Sequence, residues 1–160
     1  QPGRGTRIVL YFPVDKSVSE PEKPGAGPAQ VSTRFSGTLL LAEDEIVIRE
    51  TTREMAERLG FEVLEAMDGE QALDIFKARG KDLKAVMLDL TMPRRGGIEV
   101  YSLIRQECPE LPIVLCSGYS REAIPDMESP GEPRAFLQKP FTFAQLQAVL
   151  EEVLVRPVKG

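Results

Sequence analysis

Short apolar runs recur along the chain from Thr38 onward, each followed by a longer segment of mixed polarity. A continuous apolar run is typical of a strand that is covered on both faces of a parallel sheet. The runs predict five such strands, at Thr38–Ala42, Phe61–Ala66, Lys84–Asp89, Pro112–Cys116 and Arg134–Gln138.

The segments between these runs have the apolar spacing of amphipathic helices. Helices are predicted at about Ile46–Leu59, Gly69–Gly80, Gly97–Glu107 and Thr142–Val155, with a weaker one at Ser120–Glu128 that Pro125 interrupts. Their predicted inner faces carry Ile48, Met55 and Leu59, then Ala72, Leu73, Ile75 and Phe76, then Ile98, Tyr101 and Ile104, and finally Phe143, Leu146, Val149, Leu150 and Val153. Gly60 and Thr142 are a predicted C-terminal and N-terminal cap.

Strands that alternate with helices in this way predict an α/β fold with a doubly wound, five-stranded parallel sheet. Right-handed crossovers place the carboxyl ends of all the strands at one edge. Ligands of open parallel sheets bind outside that edge. The residues that follow each run are therefore the candidates for function.

Charged and polar residues stand at several of these strand ends. Glu43-Asp44-Glu45 follow the first run, Asp89 ends the third, Ser117 follows the fourth and Lys139 follows the fifth. Clustered carboxylates repel one another unless a cation holds them, and an all-oxygen ligand set suits Mg²⁺ or Mn²⁺. The sequence predicts such a site, with Asp89 available as a nucleophile toward phosphorus and Lys139 and Ser117 facing phosphoryl oxygens.

Each of these residues also has a plainer interpretation. Asp89 taken alone would cap the following turn, and Glu43-Asp44-Glu45 would be the acidic first turn of a helix. Lys139 could form an ordinary salt bridge with Asp89. The convergence of all of them at successive strand ends favours the functional interpretation.

Composition narrows the possible chemistry. The 160 residues include 20 basic and 25 acidic side chains, for a net charge of −5, which argues against a nucleic-acid surface. The absence of histidine excludes a Ser-His-Asp triad and a phosphohistidine carrier within the chain. The two cysteines, Cys108 and Cys116, lack metal-binding spacing, and no apolar run is long enough for a membrane span.

The first 36 residues differ in character from the rest. Ile8–Phe12 has strand propensity without a neighbouring partner strand, and the residues after Pro13 are rich in Pro, Gly, Ser and charge. We therefore expect residues 1–13 to be an isolated strand segment, 14–36 a flexible linker, 37–156 the folded domain and 157–160 a tail. Because the chain begins with Gln1, we expect it to be a piece of a longer protein.

The folded part resembles the receiver domain of two-component response regulators. The resemblance rests on four motifs in order: Leu39-Leu40-Leu41-Ala42-Glu43-Asp44-Glu45, Asp89-Leu90-Thr91-Met92-Pro93, Ser117-Gly118 and Phe136-Leu137-Gln138-Lys139-Pro140-Phe141. It implies the (βα)5 flavodoxin-like receiver fold. It also implies that Asp89 accepts a phosphoryl group and that Asp44, Asp89 and the Thr91 carbonyl bind Mg²⁺, with Glu43 acting through water.

The resemblance implies further roles as well. Ser117 and Phe136 would be a coupled switch pair, Lys139-Pro140 a cis peptide, and Thr91 and Tyr119 would influence the lifetime of the phosphoryl group. Such a domain catalyses its own phosphorylation and dephosphorylation, and is a switch more than an enzyme. Two features depart from the family's pattern. Arg95 stands where the family often has an apolar residue after Met92-Pro93, and the interrupted helix at Ser120–Glu128 falls in the family's usual switching surface.

The segment Gly3-Arg4-Gly5-Thr6-Arg7 through Pro13 resembles the last strand of a histidine kinase ATP-binding domain. This implies the C-terminal receiver of a hybrid sensor histidine kinase whose kinase motifs lie outside this chain. The expected partners are a kinase dimerisation and phosphotransfer domain and a His-containing phosphotransfer protein. The expected location is cytoplasmic, without direct membrane contact by this domain, whether or not the parent kinase is membrane-tethered.

Two alternatives remain open at this level. One is a receiver-like docking module of a hybrid kinase that is never phosphorylated. The other is a phosphatase with an aspartyl nucleophile, which would require a second Asp where Thr91 stands.

Overall fold

The five predicted strands form a single parallel sheet. The computed structural model describes residues 35–119 and 135–155, without the side chain of Val155. Its strands are β1 (Thr38–Ala42), β2 (Glu62–Ala66), β3 (Leu83–Asp89), β4 (Ile113–Ser117) and β5 (Ala135–Gln138). They are hydrogen-bonded in the order β2-β1-β3-β4-β5, with every neighbouring pair parallel. The α/β fold class is confirmed.

Four helices lie within the described residues: α1 (Ile46–Leu59), α2 (Gly69–Arg79), α3 (Gly97–Glu107) and α4 (Phe143–Val155). Helix α1 ends at Gly60, whose φ of 107° lies in the left-handed region that glycine adopts readily. Thr142 Oγ1 accepts a hydrogen bond from the Gln145 N–H at 3.3 Å, as its predicted capping role requires. The weak helix predicted at Ser120–Glu128 lies outside the described residues.

The core consists of two layers, one on each face of the sheet. One layer packs alternate strand residues such as Leu40 and Leu88 against α2 and α3, through Phe76 and Tyr101. The other packs Leu39, Met87 and their neighbours against α1 and α4. Both faces of β1, β3 and β4 are therefore buried, which is why their sequences are continuous apolar runs.

The predicted inner faces of two helices were partly wrong. In α1 the buried side chains are Arg49, Thr52, Ala56 and Leu59. Met55 is half-buried and packs on the core as predicted, whereas Ile48 is only half-buried and Arg49 and Thr52 were not predicted to face inward. In α3, Val100 is buried with Tyr101 and Ile104, whereas Ile98 is 38% exposed. The rotation of a helix about its axis is set by its packing on the sheet, and the apolar pattern alone did not determine it.

The bounds of β2, β3 and β4 differ by one residue from the prediction, and hydrogen bonding explains two of these differences. Arg134, predicted to begin the fifth strand, lies outside the described residues. Phe61 precedes β2 because its N–H closes the end of α1 by donating to the Ala56 carbonyl at 3.2 Å. Pro112 has no N–H to donate and contributes only its carbonyl, which accepts from Val86 N at 2.9 Å. Ser117 belongs to β4, and β3 begins at Leu83. A single 3₁₀ turn at Gly80–Asp82 follows α2.

The packed body includes Phe35, which the sequence had suggested was part of the linker. The Phe35 ring stacks on Phe61 with 5.1 Å between ring centroids, and its N–H donates to the Leu59 carbonyl at 3.1 Å. The predictions for residues 1–34 and 157–160 lie outside the described residues. Among the helices that the structure describes, none is long and apolar enough to cross a bilayer.

Candidate functional site

The carboxyl ends of β1 and β3 bring the predicted acidic residues together. The two strands are neighbours, and Ala42 is paired with Leu88 in their register. The next residues along the chain, Glu43 and Asp89, therefore emerge side by side at the edge of the sheet. Glu43 is 3% exposed and Asp89 is also 3% exposed, so two carboxylates are buried at one point.

Asp44 completes a cluster of three carboxylates. One oxygen from each of Glu43, Asp44 and Asp89 lies within 4.8 Å of the others. Two oxygens on opposite sides of a Mg²⁺ ion lie about 4.2 Å apart, given Mg–O distances of about 2.1 Å. The spacing of the cluster is therefore close to that of a coordination shell.

Lys139 supplies the positive charge at this cluster. It follows β5 and is held against β4 by a hydrogen bond from its N–H to the Ser117 carbonyl, 2.7 Å long. The following peptide bond, Lys139-Pro140, is cis, as the resemblance implied. The ammonium forms an ion pair with Asp89 Oδ1 at 2.9 Å and a second, hydrogen-bonded pair with Glu43 Oε2.

Burial and ion pairing shift the pKa values of Lys139 and Glu43 in opposite directions. Burial alone would lower the pKa of Lys139, but its hydrogen bonds with Glu43 and Asp89 outweigh that effect, and the pKa is raised overall. Burial also raises the pKa of the Glu43 carboxyl, and the Lys139 hydrogen bond offsets this only in part. Lys139 is therefore a stable cation within an acidic cluster.

The loop after β3 carries Thr91 and lies tightly against the strand end. Thr91 Oγ1 donates to Asp89 Oδ2 at 3.2 Å, and the Gly97 N–H donates to the Leu90 carbonyl at 3.2 Å. A Cβ at Gly97 would lie 2.1 Å from the Asp89 carbonyl oxygen, so only glycine allows α3 to begin this close.

The other predicted site residues lie around this centre. Ser117 is buried at the end of β4, and its Oγ accepts a hydrogen bond from the Tyr119 N–H at 3.0 Å. Tyr119 is exposed. Phe136 is half-buried on β5, paired with Leu115, and packs against the core layer that contains α2 and α3.

A cleft of about 600 Å³ opens beside the carboxylates. Its polar end contains Glu43, Asp44, Asp89, Thr91 and Lys139, and its apolar wall is formed by Val47, Ile48, Met55, Pro140 and Phe141. Gly118, and not Ser117, lines the cleft next to β4, and a Cβ at Gly118 would meet nothing within 4 Å. The site is therefore accessible from solvent along one face of α1.

Sequence reasoning missed three charged residues that support the site. Arg49 is buried beneath the acidic loop, and the apolar spacing of α1 did not indicate that it faces inward. Asp68 caps α2 by accepting from the Gln71 N–H at 2.9 Å. Its other oxygen pairs at 2.5 Å with Arg94, whose φ of 63° is unusual for a residue other than glycine. No local pattern predicts that second pair.

The residues present fit a divalent cation with oxygen ligands. The three carboxylates offer hard oxygen donors, and Asp89 Oδ1 is buried with the Lys139 ammonium 2.9 Å away. One ammonium does not balance three clustered carboxylates, so a divalent cation beside them is favourable. Asp44 is exposed and so can reach a cation that is still partly hydrated.

The strand order, together with the carboxylates at the carboxyl ends of the strands, defines the flavodoxin-like receiver fold. The crystal structure of the response regulator TrrA from Thermotoga maritima, in complex with Mg²⁺-BeF, superposes with a TM-score of 0.66 at 29% identity, covering 74% of this chain and 99% of that one. The family model described as the response regulator receiver domain matches residues 39–151. The chain belongs to this family and is a receiver domain of two-component signalling.

Curated relatives have this domain within longer proteins. The sensor kinase CckA of Brucella abortus is 28% identical over 158 residues, which is 95% of this chain and 17% of CckA. The transcriptional regulatory protein PdtaR of Mycobacterium tuberculosis is 34% identical over 119 residues, which is 74% of this chain and 57% of PdtaR. The chain thus spans only part of the length of these relatives.

Proposed function

We propose that this receiver domain accepts a phosphoryl group on Asp89 from the phosphohistidine of a histidine kinase. The observation that carries the proposal is the position of Asp89, buried at the end of β3 between two other carboxylates and the Lys139 ammonium at 2.9 Å. If Asp89 served only to stabilise the fold, its ion pair with Lys139 would be enough, and two further carboxylates within 4.8 Å would not be needed. That arrangement costs free energy in the resting protein and becomes favourable when a cation and a phosphoryl group are present.

The proposed reaction transfers a phosphoryl group from a histidine nitrogen to the Asp89 carboxylate. A carboxylate oxygen of Asp89 attacks phosphorus, the new O–P bond forms as the N–P bond of the phosphohistidine breaks, and the electron pair returns to the imidazole nitrogen. Lys139 balances negative charge on the phosphoryl oxygens as a point charge. Dephosphorylation is the attack of water on the same phosphorus, which restores the Asp89 carboxylate and releases inorganic phosphate.

Mg²⁺ or Mn²⁺ is the proposed cofactor. Asp44, Asp89 and the Thr91 carbonyl would bind it directly, with Glu43 acting through water. When bound, the ion offsets the repulsion between the carboxylates and the incoming phosphoryl group. The chain's own contribution is to hold these oxygens together, with Glu43 and Asp89 buried and Asp44 exposed at the mouth of the site.

The change in charge at Asp89 is proposed to reach the surface through Ser117 and Phe136. The Ser117 hydroxyl accepts from the Tyr119 N–H, and its own O–H would be free to donate to a phosphoryl oxygen on Asp89. Phe136 is only half-buried on the same face of the sheet, so it can occupy more than one position. Thr91 and Tyr119, beside the site, are the residues proposed to influence the lifetime of the phosphoryl group.

The apolar wall of the cleft supports a protein as the phosphoryl donor. Val47, on α1, is 64% exposed, and Ile46 beside it is 58% exposed. An exposed apolar strip next to a buried nucleophile suits a helical partner that carries the reactive histidine between apolar residues. The proposed partners are therefore a kinase dimerisation and phosphotransfer domain and a His-containing phosphotransfer protein.

The parent protein is proposed to be a hybrid sensor histidine kinase, whose receiver lies in the cytoplasm whether or not the kinase is membrane-tethered. The alignment with CckA covers 95% of this chain and so extends well beyond the receiver match at residues 39–151. This supports residues 1–13 as the end of a kinase ATP-binding domain, 14–36 as a linker whose end, at Phe35, packs on the receiver, 37–156 as the receiver and 157–160 as a tail.

Intact mass spectrometry after incubation with acetyl phosphate tests the proposal. We expect one phosphoryl adduct that requires Mg²⁺ and is absent from Asp89→Ala. Asp74→Ala is the matched control, because Asp74 is an exposed carboxylate on α2 away from the cleft, and it should be labelled like the wild type. An adduct that persists in Asp89→Ala would overturn the proposed acceptor. If the wild type gives no adduct, the unphosphorylated docking module becomes the better interpretation.

A further inference from the structure

Arg49 is an unusual residue on the inner face of α1. It is 8% exposed and lies on the same helical face as Thr52, Ala56 and Leu59, which pack on the sheet. Arginine is rarely buried unless its charge and its donors are paired. The groups that pair with it therefore indicate why an arginine occupies this position.

The Arg49 guanidinium binds the backbone of the acidic loop. Nη1 donates to the Glu43 carbonyl at 2.8 Å and to the Asp44 carbonyl at 3.2 Å. Nε lies 3.4 Å from Oε2 of Glu65 on β2. One side chain thus joins the peptide units of two members of the carboxylate cluster to the neighbouring strand.

The same loop is also held from the other side. The Glu43 N–H donates to the Ala66 carbonyl at 3.0 Å, and the Arg49 N–H donates to the Glu45 carbonyl at 2.9 Å in the first turn of α1. The segment Glu43–Glu45 is therefore held both by the guanidinium and by these backbone hydrogen bonds. The side chains of Glu43 and Asp44 start from this backbone. Fixing the two carbonyls therefore restricts where their carboxylates can lie.

We propose that Arg49 is a positioning residue, which holds the Glu43–Asp44 backbone so that its carboxylates meet Asp89 around a divalent cation. This inference rests on the proposed cation site. Groups that orient metal ligands without touching the metal typically change metal affinity 10- to 100-fold when they are removed. The planar guanidinium, with several donors in fixed directions, suits two carbonyls and a carboxylate at once, whereas a lysine ammonium is a single point.

Arg53 provides a matched control. It lies one turn further along α1 and shares the same partner, with its Nε 3.4 Å from Glu65 Oε1. It also pairs with Glu57 at 3.1 Å. Arg53 therefore resembles Arg49 in residue type, helix and ion-pair partner. Its ion pairs are with Glu57 and Glu65, and not with the acidic loop.

The test measures Mg²⁺ binding to the full 160-residue chain by isothermal titration calorimetry, well below the unfolding temperature of each variant as determined by circular dichroism. Arg49→Met keeps the bulk of the side chain and removes its donors. We expect its dissociation constant for Mg²⁺ to rise roughly 10- to 100-fold, while that of Arg53→Met stays within about twofold, as for a surface pair. Arg49→Lys should fall between the wild type and Arg49→Met.

Labelling by acetyl phosphate at several Mg²⁺ concentrations gives a second measurement. In Arg49→Met the Mg²⁺ concentration that gives half the maximal rate should rise as the affinity falls, and the rate at saturating Mg²⁺ should stay near that of the wild type. A purely structural role for Arg49 would lower the unfolding temperature and leave the Mg²⁺ affinity of the folded variant unchanged.

The outcomes separate this inference from the proposed function. A folded Arg49→Met variant with wild-type Mg²⁺ affinity overturns the role of Arg49, even if Asp89 is phosphorylated normally. If Arg49→Met does not fold, Arg49→Lys decides, and a wild-type affinity there has the same meaning. Weakened Mg²⁺ binding in a chain that acetyl phosphate does not label supports Arg49 and contradicts the phosphoacceptor proposal. A wild-type chain that binds no Mg²⁺ overturns both.

Discussion

Burial changes the chemistry of single residues in this domain, and Cys116 is a clear case. Its thiol lies in β4 and is 3% exposed. Desolvation, as the largest cause, raises the pKa of Cys116 from 9.0 to about 12. The thiol therefore stays protonated in the folded state at a pH at which the unfolded chain has already lost that proton.

The raised pKa of Cys116 predicts a loss of stability in alkali. Between pH 9 and about pH 12 the folded state holds a proton that the unfolded state releases, so the free energy of unfolding falls as pH rises. The contribution of the buried Cys116 thiol to the free energy of unfolding is fully present below pH 9. Its slope approaches about 1.4 kcal/mol per pH unit. Cys116→Ala should lose less stability than the wild type across this window, as measured by urea unfolding at each pH.

Two features help to separate this effect from others. Lys139 also has a raised pKa, so its contribution declines in strong alkali too, but it is present in both the wild type and Cys116→Ala. Cys108→Ala keeps the buried Cys116 thiol and should retain the wild-type slope. Equal slopes for the wild type and Cys116→Ala would contradict the prediction.

At the scale of secondary-structure elements, the approach of α3 to β3 depends on one glycine. A Cβ at Gly97 would lie 2.1 Å from the Asp89 carbonyl oxygen, and a backbone atom cannot move aside as a flexible side chain can. Gly97→Ala should therefore lower the free energy of unfolding by on the order of 1–3 kcal/mol. Urea denaturation measures this loss.

Gly118→Ala is the control for that substitution. A Cβ at Gly118 would meet nothing within 4 Å, and its stability should change by no more than about 0.5 kcal/mol. Because Gly97 adjoins the strand end that carries Asp89, the Gly97→Ala substitution should also reduce labelling by acetyl phosphate. A stable Gly97→Ala variant would mean that α3 can move away from β3 at little cost.

At the scale of the whole molecule, the contacts of Phe35 extend the packed body into the segment that was predicted to be a linker. Phe35 stacks on Phe61 across 5.1 Å and donates its N–H to the end of α1. Stacked aromatic pairs contribute about 0.5–1.5 kcal/mol beyond the area that they bury. We therefore expect Phe35→Ala to lower the free energy of unfolding by roughly 1–2 kcal/mol.

Ile98→Ala is the comparison for that prediction. Ile98 is a large apolar residue that is 38% exposed on α3, and its replacement should change stability by no more than about 0.5 kcal/mol. Chemical denaturation of the two variants under the same conditions gives both values. If Phe35→Ala is as stable as the wild type, Phe35 belongs functionally to the preceding segment and not to the packed body.

Much of the fold was predictable because buried positions are apolar and recur at the spacing of a strand or a helix. The apolar run at Ala85–Leu88 indicates a strand covered on both faces, and the spacing of Leu146, Val149, Leu150 and Val153 indicates one face of a helix. The alternation of such elements then implied a parallel sheet, with Glu43, Asp44, Asp89, Ser117 and Lys139 at one edge. Each step depends on neighbouring residues only, or on general rules of chain connection.

The sequence by itself thus determined the type, the order and most of the bounds of the elements, together with the chemical character of the edge at which they end. The tertiary structure alone decided which groups meet there. Lys139 pairs with Glu43 across 96 positions, Arg94 pairs with Asp68, and Arg49 reaches two carbonyls of the acidic loop because α1 is rotated to bury it. These contacts depend on the relative placement of separate elements, which comes from packing both core layers at once and not from any local pattern.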